Sequence, residues 1–200
     1  MHTKSPLTDV KTLRSRARKH IEQGAVTAGY GADRTEVLRM LNEALATEMV
    51  CVLRYRRHHF MARGIDAKST ADEFLVLSND EQGHADRLAE RIVQLGGEPD
   101  FSPDSLATRS HAEYVAGGSL LDMISEDLVA ERIAIDSYRE MIQYLSDLDP
   151  TTSQLLKGIL AVEEEHADEL ADLLKGLPEH KAVVPIAVAP IAIAPQSARA

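Results

Sequence analysis

Several residue types are scarce in the 200-residue chain, and each scarcity excludes a class of protein. The only cysteine is Cys51, so the chain can form neither an internal disulfide framework nor a metal site built from four cysteines. Tryptophan is absent, and only 4% of the residues are aromatic. The N-terminus also lacks the apolar run of a secretory signal. Together these features predict a protein of the reducing cytoplasm.

One apolar run lies near the C-terminus, but it does not predict a membrane helix. The stretch AVVPIAVAPIAIAP contains Pro185, Pro190 and Pro195, and proline at such short intervals interrupts any helix. It is also shorter than the roughly 20 apolar residues that a spanning helix requires. We therefore expect no membrane segment, and we expect the tail to be either disordered or extended along a neighbouring subunit.

The charge balance is acidic, with 32 Asp and Glu against 22 Lys and Arg, giving a formal net charge of −10. Such a chain repels nucleic acid unless its basic residues are segregated. It attracts cations wherever its carboxylates face a common space.

Four stretches have apolar residues at steps of three and four, which is the periodicity of bundle helices. They run through Leu38–His59, Phe74–Leu95, Leu121–Leu145 and Leu156–Leu177. The connections within the first and the last pair are short, so we expect the helices of each pair to be antiparallel. The connection between the second and third stretches is long. The sequence thus predicts an all-α, antiparallel four-helix bundle with one long crossover between helices 2 and 3.

Composition divides the chain into three predicted parts. These are a basic N-terminal extension (1–34), the bundle (35–177) and a Pro/Ala-rich tail (178–200). Ser69 or Thr70 is the predicted N-cap of the second helix, with Glu73 three residues after Thr70, and Thr151 is the predicted N-cap of the fourth, with Gln154 three residues later. Within the crossover, the stretch SHAEYVAG is expected to form a short helix.

Six ionisable residues interrupt the apolar seams of the predicted helices. They are Glu48, Glu81, His84, Glu131, Glu163 and His166. A buried carboxylate without a partner costs several kcal/mol, and four together repel one another. Two divalent cations would balance four carboxylates, and two imidazoles would complete their ligand sets. A single Glu-x-x-His is common on helix surfaces, so the prediction depends on the repetition of the pattern.

The spacing of these residues repeats between the two halves of the chain. Glu81 follows Glu48 by 33 residues, and Glu163 follows Glu131 by 32. Each Glu-x-x-His places both side chains one turn apart on the same helix face. A bundle with approximate two-fold symmetry would bring both halves together at one level, which predicts a dinuclear metal site.

This pattern resembles the ferritin-like di-iron carboxylate proteins, and among them the bacterioferritin-type ferritins. The stretch LNEALATEMVCVLRYRRHHFMARG is similar to their first helix and contains Glu48 and Tyr55. The stretches DEQGHADRLAERI, EDLVAERIAID and EEEHADEL are similar to their second, third and fourth helices. The resemblance covers residues 35–176 and leaves out both termini.

The resemblance implies a ligand arrangement for two iron ions in each subunit. Glu81 and Glu163 would bridge the ions, Glu48 with His84 would complete one position, and Glu131 with His166 the other. Tyr55 is either a core residue or a partner of a ligand carboxylate beside the metals. In bacterioferritins a Met that follows the second-helix ligand binds haem between subunits; this chain has Gln82 there, so we expect no haem.

The implied function is iron storage and detoxification by a ferroxidase, in which O₂ or H₂O₂ oxidises Fe(II). Storage requires a closed shell, so a homo-oligomeric cage is expected. One alternative is a di-metal peroxidase or manganese catalase without a cage, similar to rubrerythrin. The other is a DNA-protecting mini-ferritin of the Dps type, which would bind DNA through LRSRARKH. We expect the cations of this N-terminal segment to contact an acidic neighbouring subunit, with DNA as the alternative partner.

Overall fold

The computed structural model describes residues 7–64 and 67–177. In this part of the chain there are six α-helices: α1 (Val10–Arg16), α2 (Arg34–Met61), α3 (Ala67–Gln94), α4 (Pro103–Arg109), α5 (Leu120–Leu145) and α6 (Pro150–Gly176). A short 3-10 turn, Ile21–Gln23, lies between α1 and α2. Helix α2 packs mainly on α3, and α5 mainly on α6. The predicted all-α four-helix bundle with its long crossover is confirmed, and α4 lies within that crossover.

Both predicted helix caps are wrong. Helix α3 already begins at Ala67, so Ser69 and Thr70 lie inside its first turn. Helix α6 is capped by Asp149 rather than Thr151, and Pro150 occupies its first position. Proline suits that position because its missing N–H would have no helical partner there, and the Asp149 carboxylate is a strong cap.

The short helix of the crossover lies earlier than predicted. It spans Pro103–Arg109, whereas residues 110–117 are irregular. Proline and an acidic residue favour the first turn of the observed helix. Arginines of α2 hold the irregular stretch: Arg54 Nη1 donates to Glu113 O at 2.7 Å, and Arg57 Nη1 donates to Ala116 O. Carbonyl groups bound in this way do not need helical partners.

Two apolar clusters fill the bundle, one on each side of the ionisable residues. The first includes Leu41, Leu45, Ile92, Leu145 and Ile159. The second includes Tyr55, Phe74, Leu77, Ile124 and Leu170. On α2, Glu48 follows the last residue of the first cluster and precedes the members of the second. The polar site is therefore enclosed by apolar packing at both ends.

The segment before α2 lies partly against the bundle. Val26, Tyr30 and Ala32 pack on the first apolar cluster, and Tyr30 Oη donates to Asp149 Oδ2 at 2.8 Å. The division of the chain at residue 34 stays a prediction. The predicted behaviour of the tail falls on residues 178–200, which are outside the described residues. No helix among the described residues is both long and apolar enough to cross a membrane.

Candidate metal centre

The bundle brings all six ionisable seam residues to one place. Each is buried, with between 0 and 4% of its surface exposed. They form two overlapping groups, each with one possible ligand atom per residue and all of those atoms within 4.8 Å of one another. One group is Glu48, Glu81, His84 and Glu163, and the other is Glu81, Glu131, Glu163 and His166. The two groups share Glu81 and Glu163.

The two shared carboxylates face both histidines, one oxygen to each. Glu81 Oε2 lies 2.9 Å from His84 Nδ1, and Glu81 Oε1 lies 3.5 Å from His166 Nδ1. Glu163 Oε1 lies 2.9 Å from His84 Nδ1, and Glu163 Oε2 lies 3.6 Å from His166 Nδ1. The planes of the two imidazole rings are inclined by 30°, with centroids 6.2 Å apart. A carboxylate oriented in this way can serve two cations at once.

Several of these buried atoms have no hydrogen-bond partner within the described chain: Glu81 Oε1, both Glu163 oxygens and His166 Nδ1. His84 Nδ1 makes its hydrogen bond with Glu81 Oε2, so Glu163 Oε1 at the same distance remains without one. Buried polar atoms are rarely left in this state, and each case calls for a missing water or ion. The donor set of carboxylate oxygens and imidazole nitrogens fits a divalent transition metal.

The electrostatics of the metal-free site indicate that protons replace the cations. Burial and repulsion by Glu163 and Glu48 raise the pKa of Glu81 well above its ordinary value. Burial would lower the pKa of His84, but its contacts with Glu163, Glu48 and Glu81 raise it to about 12. Burial opposes ionisation of Glu163, yet its contacts with His166 and His84 lower its pKa to about 2. Protons held by Glu81 and His84 thus reduce the repulsion among the four carboxylates.

Two tyrosines hold the two carboxylates that are not shared. Tyr55 Oη donates to Glu131 Oε1 at 2.6 Å, so Tyr55 contacts a candidate ligand instead of being only a core residue. Tyr138 Oη donates to Glu48 Oε1. The sequence analysis missed Tyr138, although it follows Glu131 by seven residues, as Tyr55 follows Glu48. This repeated spacing was the available signal.

A second buried ionic cluster, also missed, lies next to Tyr55. Arg54 Nε lies 3.0 Å from Asp127 Oδ1 without being aligned for a hydrogen bond, and His58 Nδ1 lies 2.8 Å from Asp127 Oδ2. His58 Nε2 also lies 3.1 Å from Ala116 O in the crossover. Asp127 precedes Glu131 by one helical turn, which was the only hint in the sequence.

A four-helix bundle that buries one Glu from each of two helices and a Glu-x-x-His from each of the other two has the architecture of the di-metal carboxylate proteins. The sequence profile of the Ferritin-like domain matches residues 38–179. The chain therefore belongs to the ferritin-like family.

Individual relatives agree with this assignment. A bacterioferritin of Mycobacterium leprae is 30% identical over 136 residues, which are 68% of this chain and 81% of the relative. A nutrient stress-induced DNA-binding protein of Nostoc sp. is 34% identical over 137 residues, which are 67% of this chain and 74% of the relative. A solved structure is also similar: that of a dodecameric thioferritin, the bacterioferritin-related protein of Bacteroides fragilis. It superposes with a TM-score of 0.70 at 28% sequence identity, and the match covers 72% of this chain and 88% of that one.

Proposed function

We propose that this chain is an iron storage and detoxification protein whose buried site oxidises Fe(II) with O₂ or H₂O₂. The observation that carries the proposal is the orientation of Glu81 and Glu163, each with one oxygen toward His84 and the other toward His166. Two Fe(II) ions give up one electron each. This pair of electrons reduces O₂ to hydrogen peroxide or hydrogen peroxide to water.

The residues divide the work by position. Glu48 and His84 would hold one ion, Glu131 and His166 would hold the other, and the shared carboxylates would contact both. Tyr55 and Tyr138 fix the orientation of the unshared carboxylates. This mixture of nitrogen and oxygen ligands suits Fe(II), and it also suits Mn(II). Metal analysis of the purified protein therefore separates the ferroxidase from a manganese catalase.

The direct test replaces both shared ligands, Glu81→Ala with Glu163→Ala. The parent should bind about two Fe(II) per chain and oxidise them faster than buffer does, whereas the double variant should lose the fast phase. A matched control replaces two exposed glutamates of the same helices, Glu90→Ala with Glu165→Ala. If the site variant oxidises Fe(II) at the parent rate, the site is misassigned.

The second part of the proposal is a closed homo-oligomeric shell. Leu53 and Phe60 lie seven residues apart on one face of α2 and are 52% and 67% exposed. Large apolar side chains that repeat along one helix face are typical of a contact that another copy covers. Phe60→Glu should therefore reduce the particle mass in light scattering, while the single-chain helix content stays constant. An unchanged mass would exclude this face from the assembly.

DNA binding is the competing function, and the exposed cations near α1 are the observation that favours it. They are Lys11, Arg14, Arg16, Arg18 and Lys19. Replacing all five by Gln should abolish DNA retention if the segment binds phosphates, and retention by the parent should fall steeply with salt. If the parent retains no DNA at low salt, this function is excluded. A smaller particle in the same variant would instead support contact with an acidic neighbouring subunit.

The absence of haem stays a prediction. Gln82 occupies the position after Glu81, and its Nε2 donates to Asp86 Oδ1 at 3.0 Å. An amide is a poor substitute for the thioether that binds haem iron in bacterioferritins. Protein supplied with haem should show no stoichiometric bis-methionine spectrum, and one such haem per subunit pair would contradict this expectation.

A further inference from the structure

The two histidines of the site are not equivalent in their contacts with the carboxylates. His84 Nδ1 lies 2.9 Å from both Glu81 and Glu163. His166 Nδ1 stands further from the same two side chains, at 3.5 and 3.6 Å. His166 thus leaves more space for a cation between its nitrogen and the shared carboxylates.

The two histidines also differ in the surroundings of their other ring nitrogen. His166 Nε2 lies 3.6 Å from Asp80 Oδ2, a carboxylate outside the site. Among the described residues, no ion pair or hydrogen bond of His84 involves its Nε2. Asp80 immediately precedes Glu81, and the residue that immediately precedes Glu163 is Val162. The two-fold pattern of the sequence is therefore broken at this pair of positions.

A partner on the second ring nitrogen matters for metal binding. A histidine that binds a metal usually donates its other N–H to an acceptor, which fixes the ring orientation and strengthens the ligand. In the metal-free protein the distance between His166 Nε2 and Asp80 Oδ2 is that of an ion pair, longer than a hydrogen bond. Because the Asp80 side chain is 48% exposed, solvent weakens its effect.

We infer that Asp80 is a positioning residue for His166, and that the Glu131–His166 position consequently binds a divalent cation more tightly than the Glu48–His84 position. This inference rests on the proposed function, because it requires the site to bind metal. It assigns a role to a residue that lies outside the ligand set.

The test measures Co²⁺ binding by calorimetry and by the visible absorption of the bound ion, with the full-length protein. His84→Ala leaves the Glu131–His166 position, and His166→Ala leaves the other. Asp80→Asn should weaken binding about 3- to 10-fold in the His84→Ala background and should have no effect in the His166→Ala background. Asp86→Asn is the matched control, because it removes the same charge from the exposed surface of the same helix.

The reciprocal variant supplies the missing partner at the other position. Val162→Asp should strengthen Co²⁺ binding in the His166→Ala background, and thermal melting without metal will show whether the variant folds. Should Asp80→Asn weaken both positions equally, or neither, while the parent binds two Co²⁺, the inference is wrong and the proposed function stands. If the parent binds no Co²⁺ and no Fe(II), the proposed function itself fails.

Discussion

Two buried polar clusters of this bundle differ in how their charges are balanced. At the start of α6, Arg91 Nη2 donates to Asp149 Oδ1 at 2.9 Å, Arg91 Nε donates to Thr152 Oγ1 at 2.7 Å, and Tyr30 donates to Asp149. That cluster contains its own counter-charge. The carboxylate–histidine site has four acids whose ion pairs, among the described residues, are all with its two histidines, and it has several atoms without partners. Buried charge that the chain balances is structural, whereas buried charge that it leaves unbalanced indicates a ligand.

The cluster of Arg54, His58 and Asp127 also contains its own counter-charge, although Arg54 Nε, Arg54 Nη2 and Asp127 Oδ1 have no hydrogen-bond partner among the described residues, and it gives the largest expected effect. Asp127→Ala leaves the buried guanidinium of Arg54 without its counter-charge and removes the carboxylate that contacts His58 Nδ1, so unfolding should become easier by about 3–5 kcal/mol. Urea denaturation of the metal-free protein measures this. The exposed Asp72→Ala on α3 should change stability by less than about 0.5 kcal/mol. A loss below about 1 kcal/mol at Asp127 would mean that this cluster is not balanced by its own charges.

The unbalanced site should respond with the opposite sign. Glu81→Gln keeps the shape of the side chain but removes one of four mutually repelling acids, so the metal-free protein should become about 1–2 kcal/mol more stable. Added Co²⁺ should stabilise the parent, because only the native state contains the site. It should stabilise the variant less, because Glu81→Gln removes one of the four carboxylates. Thermal melting with chelator and with Co²⁺ measures both effects. Destabilisation of the metal-free variant would show that Glu81 has a structural role instead.

The two kinds of cluster should also differ in their response to pH. A group whose pKa is raised on folding stabilises the protein below its ordinary pKa, and this contribution is lost as the pH rises. The raised pKa values therefore predict that the metal-free protein loses stability as the pH rises, above about pH 4.5 through Glu81 and above about pH 6.5 through His84. The pKa of Asp149 is lowered because its contacts with Thr152 and Tyr30 outweigh burial, so its contribution is lost below about pH 4; the lowered pKa of Glu163 adds a loss of its own over the same acid range.

Urea denaturation between about pH 3 and pH 9 with chelator distinguishes these two arms. Glu81→Gln should flatten the alkaline arm and leave the acid arm unchanged, while Asp149→Asn should do the reverse. If one substitution flattens both arms, the clusters are coupled and the comparison fails.

The sequence was informative where ionisable residues interrupt a periodic apolar seam. Glu48, Glu81 and His166 were predicted from spacing alone, because helical geometry converts a step of three or four residues into a shared face. The cluster of Arg54 and Asp127 could not be predicted in this way, because it joins residues of α2 and α5 whose register only the folded bundle defines. The cap of α6 was predicted wrongly because the capping-box spacing of Thr151 and Gln154 pointed to Thr151, whereas Asp149 and its following proline form the cap.

The smallest expected effect compares the two tyrosines, which hold equivalent carboxylates in different surroundings. Tyr55 has the Arg54 guanidinium 5.4 Å from its ring centre, whereas Ser137 precedes Tyr138 in the equivalent place. Each Tyr→Phe substitution removes one hydrogen bond to a carboxylate that a cation can also hold, so the cost should be about 1 kcal/mol, or about fivefold in affinity.

Tyr55→Phe should weaken Co²⁺ binding at the position of Glu131, and Tyr138→Phe at the position of Glu48. Measurements in the His84→Ala and His166→Ala backgrounds separate the two positions. Equal weakening of both positions by either variant would mean that the tyrosines act only through packing.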